Sequence, residues 1–221
     1  MKNITITEKY ALCMLKEKKN LYERELVPHL IISMIVEMIL DNNLEVVNKK
    51  KVKLTNNLPV NQYNKQLYNI IKDMKKSEVS IKNIIKSICF SFSEKKKKAI
   101  IEPLKMQMVE NEIISLQNKK MIFRNKKIIT LNDASLCAII EEIRAELLED
   151  GSLTDDIILL ASLLNSTKFL KNIFAKYEKE KIKDRLVEIK NTEIADKVKI
   201  AQDAINEMNA AIIAITVPST T

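Results

Sequence analysis

The residue types that carry most catalytic and metal-binding chemistry are scarce in this sequence. His29 is the only histidine, so neither a catalytic triad nor a zinc site built on histidines can be assembled. Gly151 is the only glycine, so a glycine-rich phosphate loop is excluded. Its position after Asp150 is typical of a residue that ends a helix. The acidic neighbours Glu141–Glu142 and Asp155–Asp156 fall at predicted helix starts or on exposed faces. We therefore predict a protein that is not an enzyme and has no metal or cofactor.

Three cysteines, Cys13, Cys89 and Cys137, are far apart, and each is flanked by apolar residues. This spacing predicts reduced, buried thiols in a cytoplasmic protein. Charges recur every few residues from Lys2 to Lys19, which is unlike a secretory signal.

The charge is unevenly distributed along the chain. Residues 1–131 contain 26 Lys and Arg against 13 Asp and Glu, whereas residues 132–221 contain 11 against 16. A basic half of this kind indicates an anionic partner, either a membrane surface or a nucleic acid. A second interpretation is compositional, because Lys outnumbers Arg 33 to 4 as AT-rich coding would produce. The scarcity of Arg also argues against specific phosphate recognition.

The stretch "LIISMIVEMILDNN", residues 30–43, is the most apolar in the chain and contains Glu37. A membrane span needs about 20 predominantly apolar residues, and this run is too short and is divided by a charge. We predict a central packing helix, in which Glu37 either pairs with a Lys or caps the end of another helix.

Periodicity and capping signals predict a mainly α protein, a single compact helical domain over residues 1–221 with one or two short β-hairpins. Thr5 or Thr7 is a predicted N-cap for the first helix. Asn20 with Glu23 is a capping signal for the next segment. Pro28 marks either a later start of that helix or a kink in it. The further predicted helices are 62–76, 80–92, 94–112 with a kink or break at Pro103, 133–148, one capped by Thr154, 169–190 and 194–217. Residues 44–55 and 113–131 are the predicted hairpins.

The hairpin at 113–131 has apolar residues between cationic turns. Met121, Ile122 and Phe123 follow Asn-Lys-Lys and precede Arg124-Asn-Lys-Lys. Apolar residues framed by cations are typical of an interface or membrane rim, so we expect this hairpin to project and to take part in self-association or surface contact. The alternative is that these side chains fold back onto the domain.

Several segments, taken in order, resemble one family. They are "ITEKYALCML", "MIVEMILDNNLEV", "LPVNQYNKQL", "PLKMQMVENEII" and "DRLVEIKNTEIADKVKIAQDAINEMNAAIIAI". Their order and spacing resemble the Golgi phosphoprotein 3-like family, peripheral membrane proteins that bind phosphatidylinositol 4-phosphate.

The resemblance implies a helical core with a protruding hairpin, no enzymatic activity, and recruitment to membranes through a basic pocket. It also implies a homo-oligomer formed through the hairpin, and a cytoplasmic protein on the Golgi surface if the source cell has one. The aromatic residue of the family's lipid pocket falls at Tyr22, and one of its arginines falls at Lys98, within the run Lys95, Lys96, Lys97 and Lys98. Two other arginine positions fall at Ile31 and Ile101, which weakens the expectation of headgroup specificity.

Two other functions are compatible with the sequence. Leu104 to Glu112 followed by the basic hairpin could form a recognition helix with a wing in a nucleic-acid-binding regulator. Base readout usually uses Arg, Asn or Gln at the start of such a helix, and Pro103 and Lys105 do not supply it. The other alternative is a structural oligomer that has kept the fold and lost the lipid.

Overall fold

The computed structural model describes residues 4–18, 20–48, 50–91, 93–121, 124–149, 153–167 and 169–189. The helices in this part of the chain are α1 (Ile6–Leu15), α2 (Leu26–Leu40), α3 (Gln62–Lys72), α4 (Ile81–Cys89), α5 (Lys95–Glu110), α6 (Asp133–Leu148), α7 (Asp155–Ser166), α8 (Phe169–Ile173) and α9 (Lys176–Ile189). The mainly α fold predicted from the sequence is confirmed.

Side-chain caps fix where several helices begin. Of the two predicted caps of α1, Thr5 is the one observed, and it forms a capping box with Glu8. Thr154 accepts a hydrogen bond from the backbone N–H of Ile157 at the start of α7, as predicted. At the other end, α2 and α5 each stop with a residue at positive φ, Asn42 at 55° and Glu112 at 62°. The left-handed conformation at this position closes the last turn and satisfies carbonyl groups that the helix leaves free.

The described strands form two small antiparallel sheets. The first contains β1 (Leu44–Asn48), β2 (Lys51–Leu54) and the two-residue β3 (Val79–Ser80). The second is the hairpin of β4 (Ile114–Met121) and β5 (Arg124–Leu131), in which Ile114 pairs with Leu131 at the base. Both predicted hairpins are confirmed, and β3 is a strand that the sequence did not predict.

Helix α2 is the centre of the core, as predicted. Leu30, Ile31 and Ile32 point about 100° apart around the helix axis and are all fully buried, so the helix is enclosed rather than amphipathic. It packs against α1, α3, α4 and α7, and the buried apolar side chains form one continuous cluster.

Glu37, near the end of α2, is 5 % exposed and is held by hydrogen bonds alone among the described residues. Its Oε1 accepts from the amides of Asn61 and Asn64 at 2.9 and 2.8 Å and from the Tyr63 hydroxyl at 2.7 Å. Its Oε2 accepts from the backbone N–H of Thr7 at 3.1 Å, in the first turn of α1. The prediction that Glu37 caps another helix end is therefore confirmed, and none of these contacts is a Lys.

Glu8 extends this buried network towards α5. One of its carboxylate oxygens accepts from Asn111 at 2.7 Å, and the other accepts from Gln107 at 3.3 Å and from the backbone of Thr5 at 3.1 Å. Gln107 also donates to Asn61, which bonds to Glu37. The N-termini of α1 and α3 are thus joined to α2 and α5 by polar contacts inside the apolar core.

Several predicted boundaries are wrong. Helix α2 begins at Leu26 without a side-chain cap, because the Asn20 side chain instead accepts from the N–H of Tyr22 in a turn. The predicted helix 169–190 is two helices, since α8 ends at Ile173 before α9 starts at Lys176. Pro103 lies inside a continuous α5, whereas the predicted helix 194–217 lies outside the described residues.

The three cysteines are free thiols with different environments. Cys13 is buried, Cys89 is half-buried, and burial raises the pKa of each to about 12. Cys137 is exposed on α6, so the prediction of a buried thiol is wrong there. Leu136 and Ile139 share the face of α6 that packs on the core, and Cys137 lies on the face exposed to solvent.

Candidate anion-binding site on helix α5

The lysine run occupies the first turn of α5. Lys95, Lys96 and Lys98 are exposed, and they form no ion pair with any described residue. Lys97 is half-buried and its Nζ lies 2.9 Å from Glu94 Oε1. Glu94, at the N-cap of α5, offsets one of the four cations, and the first turn itself contains no acidic residue.

This placement is electrostatically unfavourable for the helix itself. The N-terminus of a helix carries a partial positive charge, and a cation placed there costs about 0.3–1 kcal/mol. The backbone N–H of Lys95 donates to Ser93 Oγ at 3.2 Å, and the next N–H groups of the first turn have no acceptor within the helix. Such an arrangement is suited to an anion, because backbone N–H groups, the helix dipole and lysine charges all attract it. The run therefore makes the start of α5 the strongest candidate binding surface in the described part of the chain.

Tyr22 lies in the turn before α2, and the fold brings it onto the middle of α5. Its hydroxyl donates to Oε1 of Glu102 at 2.5 Å, and Lys105 Nζ lies 5.7 Å from the centre of its ring. Lys105 also contacts Glu102, at 2.6 Å. Glu102 follows Lys98 by one helical turn, so Tyr22 and the lysine run belong to the same helix surface region.

The phenol of Tyr22 is held in its neutral form. Burial of the half-exposed ring raises its pKa above the ordinary value, and the hydrogen bond to Glu102 raises it further. The negative charges of Glu102 and Glu94 act in the same direction. Tyr22 can therefore donate a hydrogen bond to an anion but does not become one at neutral pH.

Ile31 and Ile101, which fall at arginine positions of the family's lipid pocket, are both fully buried in the apolar core. Neither side chain faces the surface that carries the lysines. The site therefore combines a tyrosine ring and lysines but has no arginine at these positions, which removes the bidentate contacts that a guanidinium offers to a phosphate.

The hairpin residues singled out in the sequence are only partly covered by the described residues. Met121 and Arg124 face each other in the register at the end of the described ladder, and Ile122 and Phe123 lie outside the described residues. The base of the hairpin is anchored by the buried Ile114, while Gln117 and Ile128 further along are exposed. Its role in self-association stays a prediction.

The segment proposed as a recognition helix is the second half of α5. Leu104 and Met108 are fully buried there, and Lys105 is engaged by Glu102 and Tyr22. Sequence reasoning missed Glu102 and Lys105 as neighbours of Tyr22. Their spacing on one helix predicts an ion pair with each other, but a contact to a residue about 80 positions earlier needs the fold.

Within the described residues, none of the helices is both long and apolar enough to cross a bilayer. A comparison with individual curated proteins returned no match. In a comparison with protein families, residues 13–210 match the model of Golgi phosphoprotein 3 (GPP34), which spans most of the chain. The order of segments noted in the sequence and this match agree, and we conclude that the chain belongs to the Golgi phosphoprotein 3 (GPP34) family.

Proposed function

We propose that this protein is a non-enzymatic peripheral membrane protein that binds anionic lipid through the start of α5, and that it acts as an adaptor at that surface. The observation that carries the proposal is the lysine run Lys95–Lys98 in the first turn of α5. Three of its four side chains are exposed and form no described ion pair. Membership in the Golgi phosphoprotein 3 (GPP34) family supports a function at membranes.

The strength of such binding follows from simple electrostatics. A lysine near an anionic leaflet contributes about 1 kcal/mol, so the exposed lysines together supply about 3 kcal/mol. This amount is enough for reversible recruitment but not for permanent anchoring. Phe90 adds an apolar element, since it ends α4 shortly before the lysine run and is 39 % exposed. An aromatic ring beside lysines is well suited to the interface between headgroups and acyl chains.

The lipid that fits this surface is defined by charge first and by headgroup second. Lysines are compact point charges. Because residues 31 and 101 are Ile and not Arg, the surface lacks planar, bidentate phosphate contacts there. Tyr22 offers one hydroxyl donor and one ring face. We therefore propose a general attraction to anionic membranes, with a weaker preference for phosphatidylinositol 4-phosphate.

Flotation with vesicles of defined composition tests the proposal. The protein should float with phosphatidylcholine vesicles that contain phosphatidylserine or phosphatidylinositol 4-phosphate, and not with phosphatidylcholine alone. Binding should weaken steeply as salt rises, because charges exposed to solvent are screened over about 8 Å at physiological ionic strength. Binding that is missing at low salt, or indifferent to lipid charge, would refute the proposal. A gel-shift assay with duplex DNA, run beside it, tests the nucleic-acid alternative.

A further inference from the structure

The contacts of Tyr22 place a carboxylate where an anion would otherwise bind. The Tyr22 hydroxyl and the Lys105 ammonium converge on Glu102, at 2.5 and 2.6 Å. A hydroxyl donor and an ammonium that meet at one carboxylate are also a donor set for a phosphate oxygen. The Glu102 carboxylate is thus the acceptor for Tyr22 and Lys105 in the position where a phosphate oxygen could also accept.

We propose that Glu102 is an internal competitor for the phosphate monoester of an anionic ligand. In the unbound protein its carboxylate accepts hydrogen bonds from the Tyr22 hydroxyl and the Lys105 ammonium. When a phosphate group binds, the phosphate replaces the carboxylate as their acceptor. This inference rests on the proposed membrane-binding function, and it adds a specificity device to the same surface. It also makes Lys105 and Tyr22, rather than the lysine run alone, the part of the site that distinguishes a phosphate monoester from other anions.

The exposure of the three side chains indicates which of them can move in this exchange. The Glu102 side chain is 48 % exposed, whereas that of Lys105 is 15 % exposed and is packed over the half-buried Tyr22 ring. The acceptor can therefore turn into solvent while both donors stay in place. The Glu102 carboxylate regains water on leaving, which offsets much of what it loses in its contacts with Tyr22 and Lys105.

The expected effect is modest for the same reason. Removing an internal competitor of this exposure should strengthen phosphate binding by about fivefold at most. Glu102→Gln removes the charge of the competitor. Glu102→Asp keeps the charge but shortens the side chain by one methylene, which withdraws it from Tyr22 and Lys105. Glu94→Gln is the control, because it removes one negative charge beside the lysine run without removing the hydrogen bond of Tyr22.

The test measures binding of these variants to phosphatidylcholine vesicles that contain phosphatidylinositol 4-phosphate, and to vesicles of equal surface charge made with phosphatidylserine. Glu102→Gln should reduce the lipid concentration for half-binding by about fivefold on the phosphatidylinositol 4-phosphate vesicles. Glu102→Asp should give a smaller gain, although the net charge is unchanged. Inorganic phosphate should release the protein from these vesicles better than chloride of equal ionic strength, which separates the phosphate group from the lipid surface as the source of binding.

Equal gains for Glu94→Gln and Glu102→Gln would overturn the inference. So would an equal gain of Glu102→Gln on phosphatidylserine vesicles, or no gain for Glu102→Asp when its thermal transition matches that of the wild type. Failure of inorganic phosphate to compete better than chloride would also overturn it. Binding by Glu102→Gln but not by the wild type would support the competitor and refute the proposed function of the native chain. No binding by any variant would refute both.

Discussion

The buried carboxylate of Glu37 accepts a hydrogen bond of 2.7 Å from the hydroxyl of Tyr63, which is itself fully buried. Burial of the Tyr63 phenol and the nearby charge of Glu37 both raise the pKa of Tyr63, so the proton stays on the tyrosine. This bond joins α2 to the first turn of α3. The same carboxylate caps α1, and one acidic side chain therefore fixes how three helices meet.

Replacing Glu37 should destabilise the protein strongly. Glu37→Leu removes four hydrogen bonds, those from Asn61, Asn64, the Tyr63 hydroxyl and the backbone N–H of Thr7. The free energy of unfolding should fall by about 3 kcal/mol or more, because most of these donors are buried. Glu37→Gln keeps the volume and one acceptor, and it should lose about 1–2 kcal/mol. Urea unfolding measures both changes. The exposed Glu45, paired with Lys53 at 2.9 Å, is the control, and Glu45→Gln should change the stability by less than about 0.5 kcal/mol. Equal losses at both positions would contradict the network.

The pKa of Glu8 makes one part of the stability depend on pH. Burial raises this pKa above its ordinary value of 4.5, and the charge of Glu37 adds to the shift. A carboxyl group with a raised pKa in the folded state binds its proton more tightly there than in the unfolded chain. Its contribution to stability is therefore full below the ordinary pKa and is lost as the pH rises through the folded-state value.

Glu8→Gln isolates this contribution from those of the other carboxylates. The free energy of unfolding of the variant minus that of the wild type should increase with pH across this interval and then become constant. Urea unfolding at a series of pH values measures the difference. A difference that decreases with pH would mean that the folded protein lowers the pKa of Glu8 instead.

Glu112 ends α5 in the left-handed region, with φ at 62°. A residue with a Cβ is strained there by about 1–2 kcal/mol, and glycine is not. Glu112→Gly should therefore raise the free energy of unfolding by about 1 kcal/mol, which thermal or urea unfolding can measure. Asn42 has the same conformation after α2, but asparagine tolerates it, so Asn42→Gly should be nearly neutral. A loss of stability in Glu112→Gly would show that contacts of the Glu112 side chain outweigh the strain.

The hairpin of β4 and β5 should contribute to assembly more than to folding. Gln117 pairs with Ile128 in the register, so residues 118–127 can be replaced by Asn-Gly, the preferred sequence of a two-residue hairpin turn. The buried base at Ile113 and Ile114 stays intact. We expect a lower oligomer mass by light scattering and a thermal transition close to that of the wild type. A large loss of stability would instead place the tip of the hairpin in the core.

The sequence predicted features whose causes are local. The apolar run around Glu37 is too short and too apolar for anything but a buried helix. Thr5 or Thr7 and Thr154 are capping signals within one turn of the helices they begin, although only the structure shows that Thr5 is the cap of α1. The two hairpins follow from β-prone runs on either side of polar turns. These features need no knowledge of what lies across the fold.

The features that could not be predicted depend on contacts between distant segments. The strand at Val79–Ser80 exists because it pairs with β2, and its two residues carry no strand signal of their own. Tyr22 meets Glu102 and Lys105 only because α5 packs against the turn before α2. The lysine run of the candidate site is visible in the sequence, whereas the contact of Tyr22 with Glu102 is visible only in the structure.

Vesicle flotation of two triple variants tests whether the start of α5 is the membrane-binding surface. One variant changes the exposed Lys95, Lys96 and Lys98 to Gln, and the other changes the exposed Lys171, Lys176 and Lys181 of α8 and α9 to Gln, so that both lose the same charge. On vesicles of phosphatidylcholine with phosphatidylserine at low salt, the first should need at least about tenfold more lipid for half-binding, because each lysine near the leaflet contributes about 1 kcal/mol. The second should bind nearly as the wild type does. Equal weakening of the two variants, or full binding by the first, would contradict the assignment of the membrane-binding surface to the start of α5.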